Sequence, residues 1–259
     1  AARHYASQSY GCSPVSFYAL VLTAIFLAAA AAFTTLLFVD APYGRHLRKG
    51  WGVALPARLG WFLMEFPAAL MIFVMMLVGG SRDPFSLLFL ALWELHYLYR
   101  SILYPLRMKD RGVRNMPWSL MLMAVLYNLA NGYVNGHHLF VAAHAYSQEW
   151  LLDPRFGIGL LLFAGGMITH IWSDRILRKL RQPGEHAYRI PRGGPFRLVS
   201  SPNYLGEILQ WTGFAVATWS LAGLSFAVFT AANLLPRGLA NHRWYRRSFD
   251  EYPEERRAV

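Results

Sequence analysis

The stretch 170–211 combines basic, amide and acidic side chains in a pattern that suits an anionic ligand. One apolar segment ends at Asp174, another opens at Pro202, and seven basic residues lie between them: Arg175, Arg178, Lys179, Arg181, Arg189, Arg192 and Arg197. Three glycines and three prolines between 183 and 195 exclude a long helix there. Arginines offer forked donors to phosphate, whereas amides and carboxylates suit amide and ribose groups. Asn203 and Glu207, which share a helical face by their spacing, would supply the latter.

Ionisable residues also occur inside apolar stretches, where charge is costly and therefore indicates function by default. Glu65 lies in WFLMEFPAAL, and Glu94, His96, Tyr97 and Arg100 lie in ELHYLYR. At a rise of about 1.5 Å per residue, Glu65 and Tyr97 are predicted to reach similar depths on two helices. The alternative is that Glu65 only pairs with Arg100 or another basic group and holds helices together.

The elements that must position these residues are predicted to be membrane-spanning helices. Of the 259 residues, 55% are hydrophobic and 15% are charged, and the apolar residues fall in runs near the roughly 20 residues that cross a bilayer. We predict an all-α, polytopic membrane protein that forms a single seven-helix domain over 1–259. The spans are 14–39, 59–79, 85–105, 117–140, 156–173, 203–220 and 222–240, and a tight turn near Leu221 joins the last two.

Within the fourth span, three asparagines share one helical face: Asn128, Asn131 and Asn135. We predict that one or two of them hydrogen-bond to neighbouring helices and that at least one lines a polar cavity.

Lysine and arginine are distributed unequally between alternate loops. The loops 40–58, 100–114 and 175–197 and the C-terminal end hold 22 of the 25, and the other side keeps only Arg3, Arg82 and Arg155. This asymmetry predicts the N-terminus outside and the C-terminus in the cytosol. Six polar residues then converge on the cytosolic layer: Asp174, Asn203, Glu207, Asn241, His242 and Tyr245. A surface that faces lipid headgroups would explain the arginines but not this inward polar set.

Other patterns do not indicate a site. The net charge of +11 comes from short loops between apolar runs, which suits a membrane and not a nucleic acid. Gly157-Ile158-Gly159 lacks the third glycine and the preceding strand of a dinucleotide fingerprint, so we predict close helix packing instead. His137, His138 and His144 lack a paired spacing, and we expect no metal site.

From about Leu55 to Arg257 the chain resembles the membrane-embedded steroid 5α-reductases, most of all their type 2 form. The most specific segment is SDRILRKLRQPGEHAYRIPRGGPFRLVSSPNYLGEILQW at 173–211. WFLMEFP at 61–67, LHYLYR at 95–100 and HRWYRRSFDEYPEERRA at 242–258 follow the same order as in that family. The first 50 residues match only loosely.

The resemblance implies an NADPH-dependent reductase that acts on 3-oxo-Δ4-steroids, with hydride reaching C5 and a proton reaching C4. By matching positions, Glu65 and Tyr97 would hold the steroid ketone, and Trp61 would lie beside it. Desolvation should keep Glu65 protonated unless a cation lies beside it. The positions that match those around the cofactor are Arg114, Asp174, Arg181, Tyr188, Arg189, Asn203, Glu207, Asn241 and Tyr245. His170 stands where the type 2 form has Asn, and Asn241 stands where it has His.

The same resemblance assigns the substrate side mainly to spans 1–4 and the cofactor side to 110–114, 170–207 and 237–257. Three alternatives remain: a reductase of another lipid enone (enoyl-CoA or polyprenyl), an isoprenylcysteine-type membrane methyltransferase that uses S-adenosylmethionine, and a transporter. The methyltransferase does not account for Glu65 beside Tyr97, and a transporter needs polar residues across the whole membrane. We expect contact with membrane lipids and no obligate protein partner. The location would be a bacterial inner membrane or the endoplasmic reticulum, with the cofactor site facing the cytosol.

Overall fold

The computed structural model describes residues 16–41, 50–108, 115–142, 146–180 and 188–259. In chain order the α-helices are α1 (Phe17–Phe38), α2 (Ala57–Val78), α3 (Pro84–Leu98), α4 (Tyr104–Leu106), α5 (Trp118–Phe140), α6 (Pro154–Lys179), α7 (Pro202–Thr218) and α8 (Leu221–Ser248). Apart from the three-residue α4, each stands at one of the seven predicted spans. Asp83 and Asp153 accept hydrogen bonds from the first N–H groups of α3 and α6, and proline takes the first position in both helices.

The helices α1, α2 and α6 have the length and the apolar composition that crossing a membrane requires. This supports a membrane protein. Crossing by all seven long helices, the predicted orientation and the single-domain organisation stay predictions.

Three local features differ from the sequence-based expectations. The third span is not one regular helix, because α3 continues into a π-helical turn (Tyr99–Leu103) before α4. The helix α6 runs to Lys179, well past 173, so the first three basic residues of the predicted loop lie on a helix. Two short strands, β1 (Ala54–Pro56) and β2 (Asn115–Pro117), pair antiparallel ahead of α2 and α5, in a structure that is otherwise mostly helical and compatible with the predicted all-α class.

The helices α6 and α7 pack most closely where glycines meet. A Cβ added to Gly166 would lie 2.4 Å from a backbone nitrogen of α7, and one on Gly206 would lie 2.5 Å from the backbone nitrogen of His170. Gly159 approaches α7 in the same way, which confirms the predicted close packing, whereas Gly157 faces open space. Small residues let helix backbones approach, and here they set the end of α6 against the first turns of α7.

A tight turn joins α7 to α8. Trp219 adopts a left-handed conformation with φ 45°, and the Ser220 side chain caps α8 by accepting from the N–H of Gly223. The turn predicted near Leu221 is therefore confirmed.

Aromatic side chains fill the core around α3. Trp93 is fully buried, lies 5.4 Å from Trp211 and 5.2 Å from Phe226 between ring centroids, and donates its indole N–H to the carbonyl of Ala68 at 3.2 Å. Tyr97, one turn further along α3, packs on Trp93 at 5.0 Å and is also buried. Buried aromatic rings contribute large apolar areas, so Tyr97 is held by dense packing on the ring side.

Residues 252–259 fold back against the segment that precedes α7. Val199 and Arg257 form a parallel bridge, and the N–H of Ser200 donates to the carbonyl oxygen of Arg257 at 2.8 Å. The hydroxyl of Tyr252 donates to Ser200 Oγ at 2.7 Å. This fold-back segment thereby fixes the entry to α7.

Candidate active site

A buried guanidinium joins carboxylates from two helices. Nη2 of Arg100 lies 3.2 Å from Oε1 of Glu65 on α2 and 3.9 Å from Oε1 of Glu207 on α7. The indole ring of Trp61 covers the guanidinium at 4.3 Å from its centroid. All three charged side chains are at most 14% exposed. Two buried carboxylates therefore share one cation, and removing it would leave uncompensated buried charge.

His170 extends this network onto α6. Its Nδ1 lies 3.1 Å from Oε1 of Glu207 and 3.3 Å from the carbonyl oxygen of Asn203, and the residue is fully buried. Both neighbours are acceptors, so Nδ1 carries a proton and donates. Nε2 lies 3.4 Å from Oδ2 of Asp174 without meeting hydrogen-bond geometry. A second proton on Nε2 would place an imidazolium between two carboxylates.

Two adjacent residues of the π-helical turn, Tyr99 and Arg100, contact the same network. In a regular α-helix, neighbouring side chains point about 100° apart. Here the hydroxyl of Tyr99 donates to Oδ2 of Asp174 at 3.4 Å and accepts from Nη1 of Arg178 at 3.2 Å, while Arg100 reaches the two glutamates. π-helical turns are rare and occur frequently at functional sites. The network thus runs from α2 through the π-helical turn to α6 and α7.

Tyr97 lies beside this network and is oriented by α5. Its hydroxyl donates to Oδ1 of Asn128 at 3.4 Å, and Nδ2 of Asn128 donates to the carbonyl oxygen of Met64, the neighbour of Glu65. The phenol of Tyr97 also interacts electrostatically with Glu65. Asn128 therefore connects α5 to both α2 and α3, as predicted for part of the asparagine stripe.

The rest of the asparagine stripe behaves differently. Nδ2 of Asn135 donates to the carbonyl oxygen of Asn131 at 3.1 Å within α5. Nδ2 of Asn131 is buried and has no hydrogen-bond acceptor within the described ranges. A cavity that these residues line stays a prediction.

A second polar cluster surrounds the entry to α7. Nδ2 of Asn241 donates to Oγ of Ser201 at 3.4 Å, and Nδ1 of His242 lies 2.6 Å from Oγ of Ser200. Tyr245 is buried and stacks on the tyrosine of the fold-back segment at 5.3 Å between centroids. This cluster links α8 to the start of the helix that carries Glu207.

Known proteins match this chain over most of its length. The family model described as 3-oxo-5-alpha-steroid 4-dehydrogenase matches residues 114–259. Steroid 5-alpha-reductase DET2 of Gossypium hirsutum is 41% identical over 242 residues, which cover 92% of this chain and 94% of that protein. The chain belongs to the steroid 5α-reductase family. Another relative, 3-oxo-5-alpha-steroid 4-dehydrogenase 1 of Homo sapiens, is 40% identical over 220 residues, or 84% of each chain. The resemblance noted from the motifs is confirmed, and this family member is an oxidoreductase.

The structure brings together six of the residues that the sequence predicted for a steroid 5α-reductase site: Trp61, Glu65, Tyr97, Asp174, Asn203 and Glu207. Asn241 and Tyr245 belong to the second cluster. Tyr188 packs on Trp244 at 5.1 Å, and Arg189 beside it is exposed. Arg114 and Arg181 lie outside the described residues. The role of each residue stays a prediction.

Sequence reasoning did not assign site roles to the two central residues of the network. Arg100 was considered only as a structural partner of Glu65, and His170 only as a departure from the type 2 pattern. The spacing of His170 and Asp174 puts both on one face of α6, which was a usable signal. Nothing in the sequence marked the π-helical turn that brings Tyr99 and Arg100 to the same side.

Proposed function

We propose that this chain reduces the Δ4 double bond of 3-oxo-Δ4-steroids to 5α-3-oxosteroids, with NADPH as the hydride source. The names of its relatives support this reaction class and weigh against the methyltransferase, the transporter and the reductases of other lipid enones. The structural observation that carries the proposal is that Glu65 contacts the shared guanidinium of Arg100, while Asn128 joins the hydroxyl of Tyr97 to the carbonyl oxygen of Met64, the neighbour of Glu65.

Tyr97 would stabilise the charge that the reaction creates. When bound, NADPH supplies the hydride that the enone accepts at C5. Negative charge then develops on the ketone oxygen, and a preorganised donor aimed at that oxygen stabilises the transition state more than the ground state. Asn128 orients the hydroxyl of Tyr97, and the aromatic core excludes water from its ring. Protonation at C4 completes the reduction.

Glu65 would give the second hydrogen bond to the ketone. Its Oε1 contacts Arg100, which leaves Oε2 to donate if the acid is protonated. The sequence-based expectation of a neutral Glu65 assumed no neighbouring cation, and Arg100 removes that condition because a guanidinium favours the ionised carboxylate. Arg100 is shared with Glu207, however, and an ionised Glu65 would repel the charge that develops on the ketone. We therefore assign the neutral acid to the complex with substrate, in which Arg100 compensates Glu207.

The residues around Glu207 fit a nicotinamide dinucleotide. Asn203 and Glu207 share one face of α7 and offer amide and carboxylate groups to a carboxamide and to ribose hydroxyls. The carboxylates of Glu207 and Asp174 have neighbours that compensate or hydrogen-bond them, so they would repel an anionic ligand little. Arg181 and Arg189 are proposed to hold phosphate groups through forked donors. The other residues proposed to surround the cofactor are Arg114, Tyr188, Asn241 and Tyr245.

The same proposal includes the membrane arrangement. All seven long helices of the one domain would cross the bilayer, and the asymmetry of 22 against 3 basic residues puts the cofactor side in the cytosol. In a Cys12→Ser protein, a cysteine introduced at position 185 should be protected from an impermeant reagent added outside. Labelling from outside in intact cells would contradict this orientation.

Product analysis tests the reaction. Purified protein with NADPH should convert a 3-oxo-Δ4-steroid to its 5α-reduced product, detected by mass spectrometry, and should prefer NADPH to NADH because of its basic residues. Reduction of an enoyl-CoA or a polyprenyl enone in the absence of any steroid reduction would overturn the substrate assignment. If S-adenosylmethionine but not NADPH stabilised the protein against heat, the assignment of NADPH as the cofactor would be overturned.

Two substitutions test the ketone site. Tyr97→Phe should lower kcat by roughly 10²–10³-fold, as loss of one oxyanion donor does. Glu65→Gln should also lower kcat strongly, because an amide is a far weaker acid, while NADPH binding and folding persist. The matched controls are Tyr133→Phe on α5 and Glu94→Gln on α3, which should keep near wild-type turnover. A Glu65→Gln protein with wild-type turnover would refute the catalytic role, and loss of cofactor binding together with stability would favour a structural ion pair.

A further inference from the structure

A groove of about 600 Å³ opens beside α6 and α7, on a different side from the charge network. Its walls come from the two helices, and the 3₁₀ turn at 194–197 with the two residues after it closes one end. The lining residues used below are Trp172, Arg197, Leu198, Leu205 and Leu209. Trp172 and Leu198 are largely exposed, so the groove faces away from the core. Its volume lies in the range of sites that hold small organic molecules, roughly 300–1,000 Å³.

The groove spans the level at which α6 leaves the apolar layer. Leu161, Ile168 and Trp172 form an exposed apolar stripe along α6, and the exposed residues Arg175 and Lys179 follow within two turns. An apolar stripe that ends in tryptophan and continues in basic residues is typical of a helix that passes from hydrocarbon into the headgroup layer. The apolar part of the groove therefore lies at acyl-chain depth and its closed end lies at headgroup depth.

Arg197 lies at that closed end and is exposed. Its guanidinium makes no ion pair or hydrogen bond to any residue that the structure describes. The 3₁₀ turn that carries it is seated on α6, since a Cβ on Gly194 would come within 3.0 Å of the ring of Trp172 and of Ile176. An uncompensated cation is thus held above an apolar channel.

We propose that this groove binds one anionic phospholipid of the surrounding bilayer, with an acyl chain along Trp172, Leu205 and Leu209 and the phosphate beside Arg197. Basic residues near a membrane surface attract anionic lipids, and the forked donors of arginine suit phosphate. A zwitterionic lipid carries its own cation next to the phosphate, so it gains less from Arg197. A free phosphate ion would leave the apolar walls uncovered.

Native mass spectrometry of the full-length protein released from detergent tests the ligand. We expect one phosphatidylglycerol to remain bound under conditions that remove phosphatidylcholine, and we expect inorganic phosphate at millimolar concentration not to displace it. Equal retention of both lipids would overturn the proposal, because the groove would then be an unselective apolar surface. Displacement by inorganic phosphate would show an anion site without a lipid.

Two pairs of variants test the residues. Arg197→Gln should lower the fraction of protein that carries phosphatidylglycerol by roughly fivefold, whereas Arg247→Gln removes an exposed charge of α8 and should change it little. Leu209→Phe narrows the channel and should reduce binding of both lipids, whereas Leu161→Phe on the exposed stripe of α6 should not. An Arg197→Gln protein that keeps the preference for phosphatidylglycerol would overturn the site. So would a folded Leu209→Phe protein with an unchanged number of bound lipids.

Discussion

The carboxylates at the start of α3 and α6 cap the helix that they begin, whereas those of the charge network around Arg100 connect different helices. Among the described residues, the hydrogen bonds that Asp83 and Asp153 accept come from positions two or three away in sequence. Glu65 and Glu207 meet through Arg100, which is distant from both in sequence, and all three side chains are at most 14% exposed. The first arrangement is local and the second depends on the tertiary fold.

The difference indicates what each set of charges does. A cap satisfies backbone N–H groups that have no partner in the helix, so it contributes to stability at the surface. A buried network of shared charges costs desolvation and is weak as a source of stability. The network joins α2, the π-helical turn, α6 and α7, and the role that we propose for it is binding and catalysis.

The largest expected effect is that of Arg100→Met. This change leaves two buried carboxylates without their cation, and it should lower the free energy of unfolding by about 3–5 kcal/mol. Denaturant unfolding in detergent, followed by circular dichroism, measures it. A decrease in the free energy of unfolding below about 1 kcal/mol would mean that water solvates the two carboxylates as readily as it solvates a surface ion pair.

A smaller effect is expected from Asp83→Ala at the start of α3. Loss of the cap should lower the free energy of unfolding by about 1 kcal/mol, measured in the same way. Asp83→Asn keeps an acceptor for the N–H groups of Phe85 and Ser86 and should lose less. A loss from Asp83→Ala as large as that from Arg100→Met would break the contrast between the cap and the network.

The cap at Asp83 should also depend on pH. Burial raises the pKa of Asp83, but hydrogen bonds from Ser86, Ser81 and Phe85 outweigh it and leave the pKa below its ordinary value. A lowered pKa in the folded state means that the contribution is present above the unfolded pKa of about 3.9 and is lost as pH falls through the folded pKa. The difference in stability between the wild type and Asp83→Asn should therefore shrink below that pH. If the difference in stability between the two proteins did not change with pH, the lowered pKa of Asp83 would be contradicted.

The smallest effect is expected from Arg155→Met. Arg155 pairs with Asp153 at 2.6 Å, but both groups are open to solvent, where ion pairs contribute little. The midpoint of unfolding should change only slightly, through the contacts of the guanidinium with the rings of Trp150 and Trp219 at 4.8 and 4.7 Å. This variant is also the matched control for Arg100→Met, because both remove one arginine from an ion pair.

The sequence predicted the positions of the seven long helices from its apolar runs, and among the described residues α1, α2 and α6 have the length and apolar composition that crossing hydrocarbon requires. It also singled out Glu65 and Tyr97 as polar groups inside apolar stretches and Asp174 and Glu207 as polar groups at helix ends, and the structure places all four in or beside the charge network. It offered Arg100 as a partner of Glu65 only as an alternative, and it did not predict that Arg100 also reaches Glu207. The link through Arg100 depends on helix packing across 35 residues or more, and the π-helical turn has no composition that marks it.

The end of α6 was misjudged for a related physical reason. The charged residues after 173 predict a loop, because charge usually marks the end of a membrane span. A helix can leave the hydrocarbon and continue in the headgroup layer, where its backbone stays hydrogen-bonded and its basic side chains reach water. Arg178 lies on this helical extension, so its contact with Tyr99 was not predicted from the sequence.

The glycine contacts between α6 and α7 also restrict motion. With backbones too close to admit even a methyl group at Gly166 or Gly206, these helices cannot slide or separate without losing their packing, so they move as one rigid piece. His170 and Glu207 travel with that piece, while Arg100 travels with α3. Moving the π-helical turn away from that piece would lengthen the 3.9 Å contact between Arg100 and Glu207, and it would also break the contacts of Tyr99 with Asp174 and Arg178.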